Sequence, residues 1–116
     1  MIAQITMAQF RTLMYSSKRF TLVDTLSKSH HMREHIPGAI CIPAGEIEKT
    51  APQCLPRNEL IIVYGEGFGR DDSELVAQKL VDLGFKHVVR FPGGLEDYRI
   101  SHLPVVGGFR PVIVDG

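Results

Sequence analysis

Residues 60–73 of the chain read LIIVYGEGFGRDDS, and their pattern is the strongest indication of the fold class. The run Leu60–Tyr64 is continuously apolar, as expected of a strand that is buried on both faces of a sheet. A glycine-rich turn follows, and from about Asp72 to Leu83 the pattern is helical, with its apolar side at Leu75, Val76, Leu80 and Leu83. A buried strand that leads through a turn into a helix is typical of α/β proteins with a parallel sheet.

The turn between this strand and this helix is the candidate functional site. Backbone N–H groups of a glycine-rich turn and of a helix N-terminus can converge on one point, which then favours an anion. Asp24 joins the site because it ends another predicted strand, and ligands of parallel sheets lie at the carboxyl ends of the strands. The alternative is that the glycines only build a tight turn. The predicted site comprises six loop residues and three acidic neighbours: Gly65, Glu66, Gly67, Phe68, Gly69 and Arg70, with Asp24, Asp71 and Asp72.

The rest of the chain alternates strands with helices. Thr6 and Gln9 have the spacing of a capping box and predict a short helix near the N-terminus. Further strands are predicted at Phe20–Asp24, Ala39–Ile42 and His87–Phe91, further helices at Ala44–Lys49 and Leu95–Ile100, and a loop at Thr50–Asn58. We therefore predict a three-layer α/β/α domain whose mostly parallel sheet has four to five strands.

Length and charge restrict the classes of function. With 116 residues, of which 44% are hydrophobic, the chain fits one globular domain. Thirteen basic and thirteen acidic side chains cancel, which argues against nucleic acid or an anionic membrane as the partner. The sequence contains neither an apolar run near the ~20 residues that span a bilayer nor a signal layout. We expect a cytoplasmic protein in which Cys41 and Cys54 are reduced thiols rather than a disulfide.

A second motif carries a family resemblance. His35–Ala39 reads HIPGA, and with Ile42-Pro43 it resembles the HIPGA…IP signature of rhodanese-like domains. Further marks agree in order and spacing: Leu22-Val23-Asp24, Ile62-Val63-Tyr64, Leu83-Gly84-Phe85, Gly93-Gly94, Tyr98 and Leu103-Pro104-Val105. The resemblance runs from about Ile5 to Val106, so we predict a domain over 1–106 and a tail over 107–116 that could add an edge strand.

The resemblance implies a sulfurtransferase fold without its nucleophile. In rhodaneses a cysteine at the head of the active loop takes up sulfur as a persulfide, and converging N–H groups lower the pKa of its thiol. The corresponding residue here is Gly65, which can neither attack nor carry sulfur. The phosphatases that share this fold need the same cysteine. Glu66 stands where a basic residue often follows, and Asp71 and Asp72 outweigh Arg70, so the junction is acidic and opposes small anions.

Two functions are compatible with this sequence. The first is a catalytically inactive binding or regulatory module with a residual anion or peptide pocket, whose partner is an unknown protein or a small anionic ligand. The alternative is a sulfurtransferase that uses Cys41, Cys54 or a partner's thiol. Neither requires a cofactor. His31 and His35 have the spacing of metal ligands on a helix, but the resemblance places His35 in a structural turn, so we predict no metal site.

Overall fold

A computed structural model describes residues 2–69 and 72–107 and forms one five-stranded sheet. The strands are β1 (Ala3–Gln4), β2 (Phe20–Asp24), β3 (Ile40–Cys41), β4 (Leu60–Tyr64) and β5 (Val88–Phe91). Their order in the sheet is β1-β5-β4-β2-β3, and every neighbouring pair is parallel. The predicted parallel α/β fold is thus confirmed. Three predicted features lie outside the described residues, namely Arg70, Asp71 and the tail from residue 108 onward.

The helices connect the strands as parallel pairing requires. They are α1 (Met7–Met14), α2 (Lys28–Arg33), α3 (Ile47–Cys54), α4 (Ser73–Asp82) and α5 (Gly94–Ile100). The predicted capping box opens α1: the Thr6 N–H donates to Oε1 of Gln9 at 2.8 Å, and the Gln9 N–H donates to Oγ1 of Thr6 at 3.1 Å. Among the described residues, no helix is long and apolar enough to cross a membrane.

Two apolar clusters cover the two faces of the sheet. Alternate residues of a strand point to opposite faces, so β4 contributes Ile61 and Val63 to one cluster and Ile62 and Tyr64 to the other. The first cluster packs against α3 and α4, and the second packs against α1 and α5. All four of these β4 side chains are fully buried. The central strand that leads into the candidate site is therefore fixed from both sides.

The helix α3 corrects the predicted loop at Thr50–Asn58. It continues to Cys54 with Pro52 inside it, although a proline in a helix interior costs about 3 kcal/mol. Ile47, Ala51 and Leu55 are all buried in the first cluster. Ile47 and Ala51 share one face of α3, and Leu55 directly follows the helix. Burial of these side chains outweighs the hydrogen bond that Pro52 cannot make.

Smaller corrections concern three other elements. The strand predicted at Ala39–Ile42 shortens to Ile40–Cys41. On α4, Leu75 was predicted on the buried side but is 55% exposed, whereas Ala77 is buried. The sheet covers a narrower stripe of this helix than the apolar pattern suggests. The edge strand β1 has only two residues, which is too short for an alternation pattern to reveal it.

Candidate functional site

The candidate site lies where β2, β3 and β4 end side by side. The sheet register pairs Asp24 with Tyr64 on one side and with Cys41 on the other. Thr25 continues this contact, because its N–H donates to the carbonyl of Tyr64 at 3.0 Å and its hydroxyl donates to the same carbonyl at 3.1 Å. Gly65 follows Tyr64 directly, so the structure brings Asp24 and the head of the loop to the same edge of the sheet.

The backbone of the loop is oriented by α5. The carbonyl of Gly65 accepts a hydrogen bond from the N–H of Leu95 at 3.0 Å, and the carbonyl of Glu66 accepts one from the N–H of Glu96 at 2.8 Å. In a trans peptide the N–H points opposite to the carbonyl of the same unit. The N–H groups of Glu66 and Gly67 therefore both point away from α5, and neither donates to the backbone of a described residue. Successive N–H groups on one side of a turn form an anion-binding concavity.

Two glycines of this region differ in what their backbone requires. Gly94 has a φ of +59°, and a Cβ on it would lie 2.5 Å from the carbonyl oxygen of Gly65. The close approach of α5 to the loop thus depends on a glycine at 94. Gly65 is buried and its φ is not positive. Its backbone conformation is therefore one that residues with a side chain also adopt.

The side chain of Glu66 is directed toward α2 and α5. Nη2 of Arg99 donates to Oε2 of Glu66 at 3.1 Å, and Nε of Arg99 lies 3.2 Å from the carboxylate of Glu34. Nε2 of His30 approaches Oε1 of Glu66 to 3.3 Å. That oxygen is buried and accepts no hydrogen bond from a described residue, so the His30 contact is a close approach without hydrogen-bond geometry.

The aromatic side chain of the loop points outward. Phe68 is 62% exposed, whereas Glu66 retains only 18% of its side-chain exposure because it is held against α2 and α5. Neither side chain is engaged with the N–H groups of the loop. Asp72, the described residue directly before α4, is exposed, and its carboxylate makes no capping hydrogen bond.

Asp24 is committed to contacts inside the domain. It is fully buried, Oδ1 accepts from the N–H of Leu26 at 2.8 Å, and Oδ2 accepts from Nδ1 of His31 at 2.7 Å. Burial and the adjacent Asp24 charge raise the pKa of Tyr64, which keeps its hydroxyl protonated. That hydroxyl accepts the N–H of Ile36 at 3.1 Å. Asp24 and Tyr64 thus tie α2 and the HIPGA turn to the sheet.

The two histidines with metal-ligand spacing are engaged with each other. Their rings stack with centroids 3.6 Å apart, and Nδ1 of His35 donates to the carbonyl of His31 at 2.7 Å. Nδ1 of His31 is bonded to Asp24. In the part of the chain that the structure describes, no group of three histidine, cysteine or acidic residues has the geometry of a metal site.

Comparison with known proteins decides the family. Residues 6–101 match the family model described as "Rhodanese-like domain". The chain belongs to the rhodanese-like family. It is 29% identical over 97 residues to "Putative sulfur carrier protein YrkF" of Bacillus subtilis (strain 168). The aligned region covers 84% of this chain and 51% of that protein. The rhodanese-like domain thus spans about half the length of this curated relative.

Solved structures of rhodaneses superpose on the same fold. The solution structure of the Rhodanese-like domain from the Alr3790 protein of Anabaena sp is 26% identical with a TM-score of 0.82, over 100% of this chain and 89% of that one. Thiosulfate sulfurtransferase from Pseudomonas aeruginosa is 26% identical with a TM-score of 0.79, over 91% of this chain but only 20% of that one. The rhodanese resemblance inferred from the HIPGA motif is confirmed.

The cysteines of this rhodanese-like domain are both free thiols, and neither occupies the head of the loop. Cys41 ends β3 beside Asp24, and its Sγ donates to the carbonyl of Leu26 at 3.6 Å. Its pKa is raised, first by burial and then by the charges of Asp24 and Glu46, with Lys28 acting in the opposite direction. Cys54 is exposed and donates to the carbonyl of Thr50 at 3.3 Å.

The side chains that contact Glu66 in the loop of the rhodanese-like domain were not predicted from the sequence. Arg99 is separated from Glu66 by 33 residues, and His30 comes from another helix. No local spacing marks such a pair, because only the topology brings α2 and α5 to the end of β4. The acidic character of Glu66 was the available signal, since a carboxylate that is largely buried needs a cationic partner.

Proposed function

We propose that this domain is a catalytically inactive rhodanese-like module that binds an anionic group at the 65–69 loop, carried by a partner protein or by a small molecule. One observation carries the proposal: Gly65, with no side chain, heads a loop whose next two N–H groups point to the same side, away from α5. Such a loop has donors for an anion and no nucleophile to attack it. Cys41 and Cys54 are both free thiols, which supports placing the protein in a reducing compartment, the cytoplasm.

The contacts of Glu66 support retained anion binding. A carboxylate beside the N–H groups would repel an anion, but Arg99, which also pairs with Glu34, donates a hydrogen bond to it at 3.1 Å, and His30 lies 3.3 Å away. The negative charge of Glu66 is therefore partly offset by a neighbouring cation. The name of YrkF makes a sulfur-bearing group the first ligand to examine, because persulfides and thiosulfate are sulfur anions.

The second candidate is a sulfurtransferase that uses another cysteine. Cys41 has the position for it, since it lies beside Asp24 at the edge of the sheet that also carries the loop. Its raised pKa argues against it, because the thiolate is the nucleophile and a raised pKa leaves less thiolate at neutral pH. Cys54 is exposed on α3, where nothing in the described structure relates it to the loop.

Two measurements separate these functions. In a thiosulfate–cyanide assay we expect no turnover above background from the wild-type chain. Titration of thiosulfate, sulfite and phosphate into the ¹⁵N-labelled chain should shift the amides of Glu66, Gly67 and Phe68 in a saturable way. Turnover that disappears in Cys41→Ala or Cys54→Ala would establish the enzyme instead. Loop amides that stay unshifted at millimolar concentrations of all three anions would leave the glycines as a tight turn only.

A further inference from the structure

An open cleft lies on the α5 side of the loop, away from the N–H groups of Glu66 and Gly67. Its volume is about 390 Å³, which is within the range of ligand-binding clefts. The apolar part of its wall comprises Ile5, Met7, Phe68 and Pro92, and its polar part includes Gln4 and Asp97. We call it the Phe68 cleft. Phe68 is 62% exposed at its rim, so a large aromatic surface stands uncovered beside the loop.

The carboxylate of Asp97 is the charged group of this wall. It makes no hydrogen bond or ion pair with any described residue. Asp97 lies in the first turn of α5, where an acidic residue also stabilises the start of a helix. The neighbouring Glu96 is exposed and carries the same charge. The Phe68 cleft thus joins an apolar wall to an uncompensated negative charge.

The outer strand β1 contributes backbone hydrogen-bonding groups to the same cleft. β1 is the last strand of the sheet, and the N–H of Ile5 is directed inward to the carbonyl of Arg90 at 3.0 Å. Backbone groups alternate in direction along a strand, so the N–H and carbonyl of Gln4 face away from β5. An open strand edge is a template for an extended peptide.

We propose that the Phe68 cleft docks an extended segment of a partner protein that carries an apolar side chain next to a lysine or arginine. The apolar side chain packs on Phe68, Ile5 and Met7, and the cation pairs with Asp97. The backbone groups of Gln4 favour a peptide over a small organic amine, because an amine has no backbone to pair with the strand edge. The proposal concerns the surface beside the loop and does not depend on anion binding by the loop itself.

The test uses the full chain and three blocked pentapeptides, followed by ¹H–¹⁵N spectra. The probe is acetyl-Gly-Lys-Leu-Lys-Gly-amide, and we expect saturable shifts of the amides of Gln4, Met7, Phe68 and Asp97. Acetyl-Gly-Glu-Leu-Glu-Gly-amide reverses the charge, and acetyl-Gly-Lys-Ser-Lys-Gly-amide removes the apolar side chain. Both should bind more weakly, the first by about threefold or more and the second by about fivefold or more.

Matched variants assign the contacts. Asp97→Asn should lower the affinity for the lysine peptide and abolish its preference over the glutamate peptide, and Phe68→Ala should weaken both. Asp82→Asn changes an exposed acid at the far end of α4 and should leave binding unchanged. Thermal unfolding of each variant checks that the fold is retained, which the exposure of Phe68 favours.

Three results would overturn the docking proposal. They are equal affinity for the lysine and glutamate peptides, peptide-induced shifts confined to another surface, and binding of n-hexylamine as tight as that of the lysine peptide. Thiosulfate titrated into the same sample reports separately on the amides of Glu66 and Gly67. A lack of peptide binding at the Phe68 cleft and a lack of anion binding at the loop are therefore distinguishable.

Discussion

At the scale of single residues, the edge of the sheet beneath the loop is held by a buried polar network. Asp24 binds His31 at 2.7 Å and the N–H of Leu26 at 2.8 Å, and Tyr64 accepts the N–H of Ile36 at 3.1 Å. Buried polar groups are costly when a partner is removed. This network holds Asp24 in position at the end of β2.

Removal of the Tyr64 hydroxyl should destabilise the domain. Tyr64→Phe leaves the N–H of Ile36 buried without its acceptor, and we expect a loss of about 1–3 kcal/mol in the free energy of unfolding. Urea denaturation measures it. Tyr15→Phe is the matched control, because Tyr15 is 74% exposed and its hydroxyl makes no hydrogen bond with any described residue. Equal stability of the two variants would contradict the network.

The same hydroxyl should give stability a dependence on alkaline pH. The folded pKa of Tyr64 is raised, whereas the unfolded chain titrates at about 10. Above that pH the unfolded state releases a proton that the folded state retains, so the free energy of unfolding decreases as pH rises. The decrease should be steeper in the wild type than in Tyr64→Phe. The free energy of unfolding of both proteins is measured from about pH 9 to about pH 11, on either side of the unfolded pKa. An equal pH dependence in the two proteins would refute this assignment.

Cys41 should react slowly with alkylating agents. Its raised pKa leaves little thiolate at neutral pH, and its side chain is half-buried, whereas Cys54 is exposed. Mass spectrometry of iodoacetamide-treated protein gives the rate at each position. We expect Cys54 to be alkylated first, and rapid alkylation of Cys41 would restore it as a candidate nucleophile.

At the scale of elements, the loop depends on its contact with α5. The carbonyls of Gly65 and Glu66 bind the first N–H groups of this helix, and Gly94 permits the approach. The helix α5 therefore sets the direction of the loop N–H groups, although Leu95 lies 30 residues after Gly65 in the chain.

An alanine at position 94 should disturb this contact. Its Cβ would lie 2.5 Å from the carbonyl oxygen of Gly65, at a φ of +59° that disfavours side chains. We expect Gly94→Ala to lower the free energy of unfolding by about 1–3 kcal/mol and to shift the amides of Glu66 and Gly67. Gly45→Ala is the control, because a Cβ there meets nothing within 4 Å. Unchanged loop amides in Gly94→Ala would show that α5 does not orient the loop.

Elements with a complete local signal were predictable from sequence, and those fixed by distant contacts were not. The capping box of Thr6 and the apolar run of β4 carry their own determinants, and both occur where predicted. Pro52 predicts that α3 is broken. The helix nevertheless continues through Pro52, because its buried side chains pack in one cluster with those of α4. The two residues of β1 become a strand only by pairing with β5.

At the scale of the whole molecule, the fold and the head of the loop were predictable, while the electrostatics of the loop were not. HIPGA and the strand preceding Gly65 are contiguous motifs, and the family match over residues 6–101 confirms the fold that they imply. The acidic residues suggested a loop hostile to anions. Arg99 and His30 reach Glu66 only in the folded domain, so sequence spacing could not reveal that its charge is partly offset by Arg99.

We propose that the domain retains the anion-binding backbone of a rhodanese loop without the nucleophile. The most direct test is the thiol pKa of Gly65→Cys, obtained from the alkylation rate of that residue as a function of pH, with Cys41 and Cys54 as internal references. Two N–H groups directed to one side should stabilise the thiolate, so we predict a pKa well below the ordinary value of about 8.5. A pKa at or above that value would overturn this proposal, because it would mean that the loop stabilises no anion.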